Sequence, residues 1–542
     1  MEERVRVRAR EVSSEMAEIR GAFGTIHDDG TASTRSIKRK VLTLLAVLGP
    51  GIIVMVGDND AGGVSTYAQA GQNYGLSLLW TLILIIPVLV ISQEMSVRLG
   101  AVTGVGLYRL IAERIGKRWA HFAVAGLFLL DFLTIATEFA GITLALGYFG
   151  ISGYISVPVA AVLLVLITSS GSFRRWERFM FIFVFANLLV IPLVILSHPH
   201  AGSVIRGFVT PGITGGVNST AVLFVIGIVG TTVAPWQLFF QQSNIVDKRI
   251  TPRWINYERA DTIIGSGVTV VAATLIIATT AFAFRGHHHL FGNFKNGLAV
   301  SQGLDATIGH AAGVLFSIVL LNASMVGAAS VTLASAYAYG DMAGKSSSLN
   351  RSFREAKQFY ITFAALIVVA AGIVLIPHAP LGLFILAVQA LAGIILPVAM
   401  VLALLLCNDR AILGPWVNRP WLNVIAGMVV TLLIGMSVIL MMTTVFTNVA
   451  TSILAAVLGV ALIAGVWVGV VLARQTVLEE RLHDTPRERG ERDRWQMPSA
   501  ALLQPMALSR GRKGALHFLF GYLILALVLL AYKSVALGFH PK

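Results

Sequence analysis

Long apolar segments follow one another along most of the chain, separated by short charged loops. About thirteen of them reach roughly 17–30 residues, the length that a helix needs to cross a bilayer. They lie at 41–73, 76–97, 119–148, 153–170, 179–197, 219–246, 260–284, 310–340, 358–376, 380–407, 420–443, 447–473 and 515–537. Hydrophobic residues make up 56% of the chain and charged residues 13%, a composition typical of membrane proteins. The pattern predicts an all-α polytopic membrane protein.

The distribution of basic residues predicts how these helices are oriented. Nearly all of the 41 Lys and Arg residues fall in alternate loops, which places those loops in the cytosol. The N-terminus is then cytosolic and the C-terminus outside, in a cell membrane (plasma or inner). The net charge of +14 lies in the loops between apolar spans, so it does not indicate a nucleic-acid partner. The lipid bilayer is the expected environment, and no obligate protein partner is evident.

Two charged segments flank the helices on the predicted cytosolic side. Residues 1–40 form a basic arm that lacks the apolar core of a signal peptide. Residues 474–513 form a charged linker before the last helix. A solvated linker is the simpler interpretation, and binding to anionic lipid head groups is the alternative. Cys407 is the single cysteine of the sequence, which excludes an intrachain disulfide and a cysteine-based zinc site.

The first apolar segment contains a sequence that disfavours a continuous helix. Residues 57–63 read Gly-Asp-Asn-Asp-Ala-Gly-Gly, and the three glycines favour an interruption. Asp60 lies near the middle of this segment, where a carboxylate costs several kcal/mol unless it is paired or liganded. Unwound backbone is tolerated at that depth only where it faces protein or a wet cavity. Asp60 is therefore predicted to belong to a cation site.

A second interruption is predicted in the sixth apolar segment, near 231–236. Pro235 removes a backbone donor and clashes with the preceding helical turn, and glycines loosen the residues before it. A lone proline in a membrane helix would indicate only a kink. Because this break lies at about the same depth as the first, in a helix of opposite direction, the pair indicates two discontinuous helices that face each other.

Paired interruptions of this kind predict an inverted repeat. The first repeat would comprise helices 1–5, at 41–197, and the second helices 6–10, at 219–407. Two further helices at 420–473 and a last one at 515–537 would be additions to that core. Free carbonyl groups at such breaks coordinate cations, and the ends of the half-helices add a favourable dipole.

Several short motifs are similar to those of a known transporter family. Helix 1 carries Asp60-Ala61-Gly62-Gly63, and helix 6 carries Ala234-Pro235-Trp236. Further matching motifs are Gln69-Ala70-Gly71, Arg98-Leu99-Gly100, Ala136-Thr137-Glu138, Gln389, Leu396-Pro397 and Asp409-Arg410. On these residues the chain resembles the Nramp family of divalent metal transporters. The resemblance implies a LeuT-like fold with two inverted five-helix repeats, here followed by three extra C-terminal helices.

The family's metal ligands are partly replaced in this chain. The family uses an Asp and an Asn from helix 1 and a Met from helix 6. Here Asp60 is kept, Gly63 stands for the Asn, and Ala234 stands for the Met. Trp236 replaces a His and would line the cavity beside Gln237. A thioether favours transition metals, whereas Mg²⁺ keeps several waters and suits a roomier site of oxygen ligands. Among the branches of the family, the chain resembles most the Nramp-related magnesium transporters, in which the soft ligand is lost.

Matching with the family also implies other ligands. Gly57 and Thr231 would offer backbone carbonyls. Asp58 is an additional polar residue of the break, outside the family pattern. It either adds a second carboxylate, or it caps the second half of helix 1 or hydrogen-bonds a neighbouring backbone group, and the sequence leaves both interpretations open. Gln389 would reach the site from helix 10 as a carbonyl or water-holding ligand. The metal, Mg²⁺ or Mn²⁺, is the transported substrate, and no cofactor is expected.

A path for protons is predicted only in part. Asp131 and Glu138 lie seven residues apart, on one face of helix 3. In proton-coupled members of the family this face relays protons. Gly141 and Gln241 stand where the family has a Glu and a His, so the relay lacks titratable groups. We expect transport that is weakly or not proton-coupled and is driven by the membrane potential.

The expected function is import of Mg²⁺, and also Mn²⁺, by alternating access. A proton-coupled Mn²⁺ or Fe²⁺ importer of the ordinary family type is the alternative, which the absent Met disfavours. An amino-acid carrier on the same fold is a second alternative, although Asp58 and Asp60 would repel its carboxylate. The sequence shows no phosphate loop or nucleophile–base pair of an enzyme. His287–His289 lacks the spacing of a preformed metal site, which favours a solvated outside loop over weak metal collection.

Overall fold

Helices account for almost all of the structure, a computed structural model that describes residues 18–27, 37–217, 219–345, 347–377, 379–446, 449–482, 489–498 and 503–539. The first half contains α1 (Ile37–Val47), α2 (Pro50–Gly57), α3 (Ala61–Tyr74), α4 (Leu79–Thr103), α5 (Leu107–Leu110), α6 (Lys117–Gly147), α7 (Gly153–Thr168), α8 (Phe173–Ala186), α9 (Val190–Leu196) and α10 (Ala201–Val209). The second half contains α11 (Ser219–Thr232), α12 (Pro235–Asp247), α13 (Ile255–Ala283), α14 (Gly297–Thr307), α15 (His310–Ala343), α16 (Lys357–Val374) and α17 (Leu381–Cys407). The C-terminal part contains α18 (Arg410–Leu413), α19 (Pro420–Val445), α20 (Thr451–Leu482), α21 (Arg489–Arg494) and α22 (Arg510–Phe539).

Ten helical segments of the described chain are long and apolar enough to cross a membrane. The predicted first span is not among them, because its two halves have only 8 and 14 residues. The helix α7, with 16 residues, and the last helix, α22, are not among them either. The number of thirteen spans therefore stays a prediction.

Both predicted interruptions are confirmed. The helix α2 ends at Gly57 and α3 begins at Ala61, so three residues join the halves outside any helix. The helix α11 ends at Thr232, and α12 begins at Pro235. A proline fits the first position of a helix because no intrahelical donor is needed there. Pro235 therefore starts a separate half-helix, and the interpretation as a simple kink is wrong.

The N-terminal arm contains a β-hairpin that the sequence analysis did not predict. The strands β1 (Glu18–Gly21) and β2 (Gly24–His27) pair in antiparallel register. The ring of Phe23 meets that of Phe181 in α8 edge to face, with ring centroids 4.5 Å apart. Part of the basic arm therefore packs against the helices, and the residues of 1–40 outside the hairpin and α1 lie outside the described structure.

The C-terminal segments pack on the helical core. In α22 the Tyr522 hydroxyl donates a hydrogen bond to the Ile394 carbonyl of α17, at 3.1 Å. Within the predicted linker 474–513, the Arg492 guanidinium lies over the Trp416 ring, 4.0 Å from its centroid. This described part of the linker is thus held against the core. The sequence analysis had favoured a linker that is solvated throughout, and for this part that interpretation is wrong.

Candidate metal centre

The two breaks meet in the interior and leave two carbonyl groups without their α-helical donors. The donor for the Gly57 carbonyl would be the N–H of Ala61, which donates instead to Glu138 Oε2 at 3.0 Å. The donor for the Thr231 carbonyl would come from Pro235, which has no N–H. These are the two carbonyls that the family resemblance implies as ligands, so both breaks present such an oxygen.

Asp60 is the N-cap of α3. Its Oδ1 accepts a hydrogen bond from the N–H of Gly63 at 2.7 Å, and the residue is 3% exposed. Asp and Asn are favoured at this position because their side-chain oxygen satisfies a free N–H of the first turn. Glu138 lies close by, since its Oε2 accepts a hydrogen bond from the N–H of the next residue, Ala61. The alternative in which Asp58 caps this half-helix is therefore wrong.

Asp58 and Asn59 hold buried oxygen atoms that have no partner in the described protein. Both carboxylate oxygens of Asp58 and Oδ1 of Asn59 accept no hydrogen bond there, and the residues are 0% and 2% exposed. Thr231 Oγ1 and Gln389 Nε2 are also buried and also have no hydrogen-bond partner in the described protein. Buried polar groups are costly when they are unpaired, so several of them near the two breaks make this region the candidate site for a polar ligand.

Gln389 of α17 approaches the first break, and its role as a ligand stays a prediction. A Cβ atom added at Gly62 would collide with the Gln389 amide and would lie 3.0 Å from Asp60 Oδ1. The amide and the Asp60 carboxylate therefore approach the same small region of backbone. Glycine at position 62 is what allows this approach.

The room predicted from the missing Asn side chain is not present at Gly63. A Cβ atom there would lie 2.6 Å from the Asp58 carbonyl oxygen and 3.4 Å from Thr231 Oγ1. The backbone of the break occupies the space that a side chain would need, so this part of the expectation is wrong. The consequence is that another carbonyl oxygen, that of Asp58, approaches the second break.

Three residues of α12 follow the second break and are buried. Ala234 is the N-cap residue of α12 and is 5% exposed. The Trp236 ring would lie 3.3 Å from a Cβ atom at Gly57, so the indole packs against the first break. Gln237 Oε1 accepts a hydrogen bond from Gln93 Nε2 of α4 at 3.0 Å. Trp236 thus closes the site on one side, whereas Gln237 links α12 to α4.

The acidic residues of α6 are both buried but are not joined to each other. Asp131 Oδ2 accepts from the Ser335 hydroxyl at 2.7 Å, whereas Glu138 contacts the first break. The two hydroxyl groups between them, on Thr134 and Thr137, donate to carbonyls of α6 itself. The described side chains therefore do not form a continuous hydrogen-bonded chain from Glu138 to Asp131.

The sequence analysis missed the part of α15 that supports the site. A Cβ atom at Gly327 would lie 2.5 Å from Glu138 Oε2 and 2.8 Å from the Cβ of Asp60. Gly327 therefore lets α15 press against the two carboxyl residues at once. Ser330 lies one turn further along α15 and has a buried hydroxyl. A Cβ atom added at Gly57 would lie 3.6 Å from this hydroxyl. The run of small residues in α15 could have indicated this close packing.

We expect Gly327→Ala to reduce transport at least about tenfold, because the added methyl group must displace Glu138 or Asp60 from its present geometry. Initial rates of Mn²⁺ uptake into proteoliposomes measure this effect. The matched control is Gly372→Ala in α16, where an added Cβ meets no atom within 4 Å. Equal rates for the two variants would show that the packing of α15 does not position the site.

The described residues contain no preformed group of three Asp, Glu, His or Cys side chains that could hold a metal ion. A cation at the breaks would therefore rely on one or two carboxylates together with carbonyl, amide and hydroxyl oxygens. The run His287–His289 is exposed in its loop and belongs to no such group within the described structure. The exposure of these residues agrees with the solvated loop that the sequence analysis favoured.

Comparison with known proteins agrees with this architecture. The profile of the family described as Natural resistance-associated macrophage protein-like, Nramp, matches residues 51–443, which include both breaks. The chain belongs to the Nramp family. Its all-α, LeuT-like fold with two inverted five-helix repeats is the fold of the family.

Two curated relatives and one solved structure illustrate the similarity to other Nramp proteins. The divalent metal cation transporter MntH of Ralstonia nicotianae is 30% identical over 403 residues, which are 69% of this chain and 86% of the relative. The protein of the same name from Latilactobacillus sakei is 27% identical over 429 residues, which are 74% of this chain and 90% of the relative. The crystal structure of the Eremococcus coleocola manganese transporter superposes with a TM-score of 0.59 at 20% identity, covering 84% of this chain and 99% of the other.

Proposed function

We propose that this protein is a secondary transporter, and not an enzyme, that imports a divalent cation, Mg²⁺ and also Mn²⁺. The ion would be bound partly hydrated between the halves of the two broken helices. The observation that carries the proposal is the group of buried, unpartnered oxygens on Asp58, Asn59 and Thr231 beside the two carbonyls without helical donors. The curated relatives named as divalent metal cation transporters support the same class of substrate.

The ligand types favour a hard ion. Asp58 and Asp60 supply carboxylates, Gly57 and Thr231 supply carbonyls, and Gln389 supplies an amide, all of which suit Mg²⁺ or Mn²⁺. Position 234 carries a methyl group and not a thioether, so the ligand that would favour softer metals is absent there. Trp236 offers only an N–H donor and would shape the cavity without binding the cation.

The charge balance also favours a divalent cation over an amino acid. Asp58 and Asp60 lie two residues apart, and each is at most 3% exposed. Two buried carboxylates repel each other and any substrate carboxylate, whereas a dication compensates both. This arrangement disfavours the amino-acid carrier among the alternatives.

We propose that the ion is driven mainly by the membrane potential and that coupling to protons is weak or absent. A divalent cation gains about 4.6 kcal/mol per 100 mV of inside-negative potential. The gap between Glu138 and Asp131, whose intervening hydroxyls bond to α6 itself, supports weak coupling. The proton-coupled Mn²⁺ or Fe²⁺ importer stays the alternative, and the buried Glu138 at the first break favours it, because a carboxyl group in that place can carry a proton.

The proposed orientation has the N-terminus in the cytosol and the C-terminus outside, in a plasma or inner membrane. The concentration of Lys and Arg in alternate loops supports this orientation. The half-helix α2 would then lie on the cytosolic side of the breaks and α3 on the outer side.

Reconstitution of the full chain in liposomes tests the proposal. The liposomes contain a dye that responds to Mg²⁺ or a dye that is quenched by Mn²⁺. We expect saturable uptake, whose rate rises several-fold when a K⁺ diffusion potential makes the interior negative. A pH dye in parallel vesicles is expected to show little acidification for each ion that enters. Protein-free liposomes provide the background rate.

Three outcomes would contradict parts of this proposal. Acidification that keeps pace with metal entry would establish the proton-coupled alternative. Uptake of labelled amino acids without metal flux would establish the carrier alternative. Absence of both Mg²⁺ and Mn²⁺ flux from correctly inserted protein would refute the transported substrate itself.

A further inference from the structure

A second group of buried charges lies at the other end of α2, away from the breaks. It consists of three carboxylates, Glu177 of α8 and Glu258 and Asp261 of α13, which we call the inner acidic cluster. All three residues are 0% exposed. The Lys248 ammonium group, just after α12, lies among them with its side chain 0% exposed. Three potential negative charges thus face one positive charge.

The cluster and Lys248 hold the N-terminal end of α2 in place. Asp261 accepts hydrogen bonds from the N–H groups of Gly49, Gly51 and Ile52 at 3.1, 2.8 and 3.2 Å. Lys248 Nζ lies 2.7 Å from Glu177 Oε1. The same ammonium donates to the carbonyls that end α1, Val47 at 2.7 Å and Leu48 at 3.1 Å. The start of α2 is therefore fixed by groups from three other helices.

The N-terminal hairpin closes over the same place. The N–H of Ala22, in the turn between β1 and β2, donates to Glu177 Oε2 at 2.5 Å. The Ala22 carbonyl accepts in turn from Arg178 Nε at 3.1 Å. Both oxygens of Glu177 are thus occupied, one by Lys248 and the other by the hairpin.

Glu258 is the member of the cluster that has no hydrogen-bonding partner. Neither of its carboxylate oxygens accepts a hydrogen bond from the described residues. The charged groups that act on it are Asp261, Lys248 and Glu177. A buried carboxylate without a partner is unfavourable unless it takes up a proton or a cation compensates its charge. Because Lys248 is already engaged by Glu177 and two carbonyls, Glu258 is an available oxygen ligand.

The position of the cluster relates it to the breaks. The helix α2 has 8 residues, which at about 1.5 Å per residue place its ends roughly 12 Å apart. Asp58 follows one end of this helix, and the cluster surrounds the other. The cluster therefore lies about one short helix away from Asp58, at the end of α2 that is predicted to face the cytosol.

We propose that Glu258, Asp261 and Glu177, which are no preformed metal site while Lys248 lies among them, rearrange into a second, transient site for a divalent cation on the exit path, and that Lys248 takes the place of the ion while the path is closed. The proposal rests on the proposed function. The metal ion and the ammonium group compete for the same carboxylates. When the ion displaces Lys248, the Val47 and Leu48 carbonyls lose their donor. When it also binds Asp261, the N–H groups at the start of α2 lose their acceptor, and this end of the helix is freed as the ion arrives.

Mn²⁺ binding to the full chain in lipid nanodiscs tests the proposal. The amount of bound ion is measured as the loss of the EPR signal of free Mn²⁺. The wild-type protein is expected to show a tighter and a weaker class of site. Asp60→Asn removes the tighter class and keeps the weaker one. Glu258→Gln in that background is expected to abolish the weaker class, whereas Lys248→Met is expected to tighten it at least about tenfold because the competing ammonium is gone.

Glu355→Gln is the matched control, since Glu355 is an exposed carboxylate before α16, and it should leave both classes unchanged. The proposal is wrong if Asp60→Asn binds no Mn²⁺ at millimolar concentration, or if Glu258→Gln and Glu355→Gln bind alike. Should the double variants fail to fold, Glu258→Gln alone decides, because it must lose the weaker class and keep the tighter one. Flux through the wild-type protein is a separate measurement, so its absence refutes the proposed function and not this site.

Discussion

Asp60→Asn is expected to reduce uptake of Mg²⁺ and Mn²⁺ at least about 100-fold while the protein keeps its fold. Asn is as good an N-cap as Asp, so the hydrogen bond from the Gly63 N–H to the side-chain oxygen is retained. The substitution therefore removes the charge and leaves the cap. Loss of one carboxylate from a buried dication site costs on the order of 3 kcal/mol or more, which corresponds to about a 100-fold change in an equilibrium constant.

Initial uptake rates over a range of ion concentrations measure this effect in proteoliposomes. Asp305→Asn serves as the control, because Asp305 lies before α15 and accepts a hydrogen bond from the Tyr148 hydroxyl at 2.7 Å, away from the breaks. A rate for Asp60→Asn that stays within a few-fold of the control would show that the Asp60 charge does not bind the ion. Thermal unfolding in detergent should be similar for both variants.

Much of the fold follows from local sequence. The interruption at 58–60 was predictable because glycines and charged residues stand inside an apolar span, where each disfavours a continuous helix. The interruption before Pro235 was predictable for the same kind of reason, since proline cannot donate within a helix. These are properties of short segments, and they do not depend on contacts between distant parts of the chain.

The contacts that shape the site could not be predicted in this way. The approach of Gly327 to Glu138 and Asp60 depends on how three helices cross, which composition and periodicity do not determine. Likewise the sequence indicated more space at Gly63, whereas the Asp58 carbonyl fills it. A missing side chain leaves room only if the backbone stays in place, and an unwound segment is free to move into the gap.

Charged segments outside the helices were the other source of error. The hairpin at 18–27 is short and stands in a basic arm, in which the sequence analysis predicted no strand. It is ordered by tertiary contacts, the ring of Phe23 on Phe181 and the hydrogen bond from Ala22 to Glu177. The inner acidic cluster escaped notice for a related reason, because Glu177 and Asp261 are far apart in sequence and each looked like an ordinary loop or helix-end charge.

The identity of residue 234 is expected to determine which metals the site prefers. Ala234→Met places a thioether at the N-cap position of α12, three residues after the Thr231 carbonyl. A soft sulfur ligand binds Cd²⁺ and, less strongly, Mn²⁺ but contributes little to a hard ion such as Mg²⁺. We expect the apparent affinity for Cd²⁺ to rise at least about tenfold, and Mg²⁺ uptake to fall several-fold because the larger side chain displaces ion-bound water.

Ala234→Leu separates the two effects, since Leu has nearly the volume of Met but no sulfur. It should lower Mg²⁺ uptake as Ala234→Met does, without any gain for Cd²⁺. Competition between Cd²⁺ and Mg²⁺ for uptake, measured on the parent and both variants, gives the selectivity ratio directly. If Met and Leu change that ratio equally, side-chain volume and not ligand chemistry acts at position 234, and the argument for a hard-ion site from the missing thioether fails. If only Met raises Cd²⁺ affinity, residue 234 faces the ion, and the oxygen ligands of the two breaks set the preference of the parent protein.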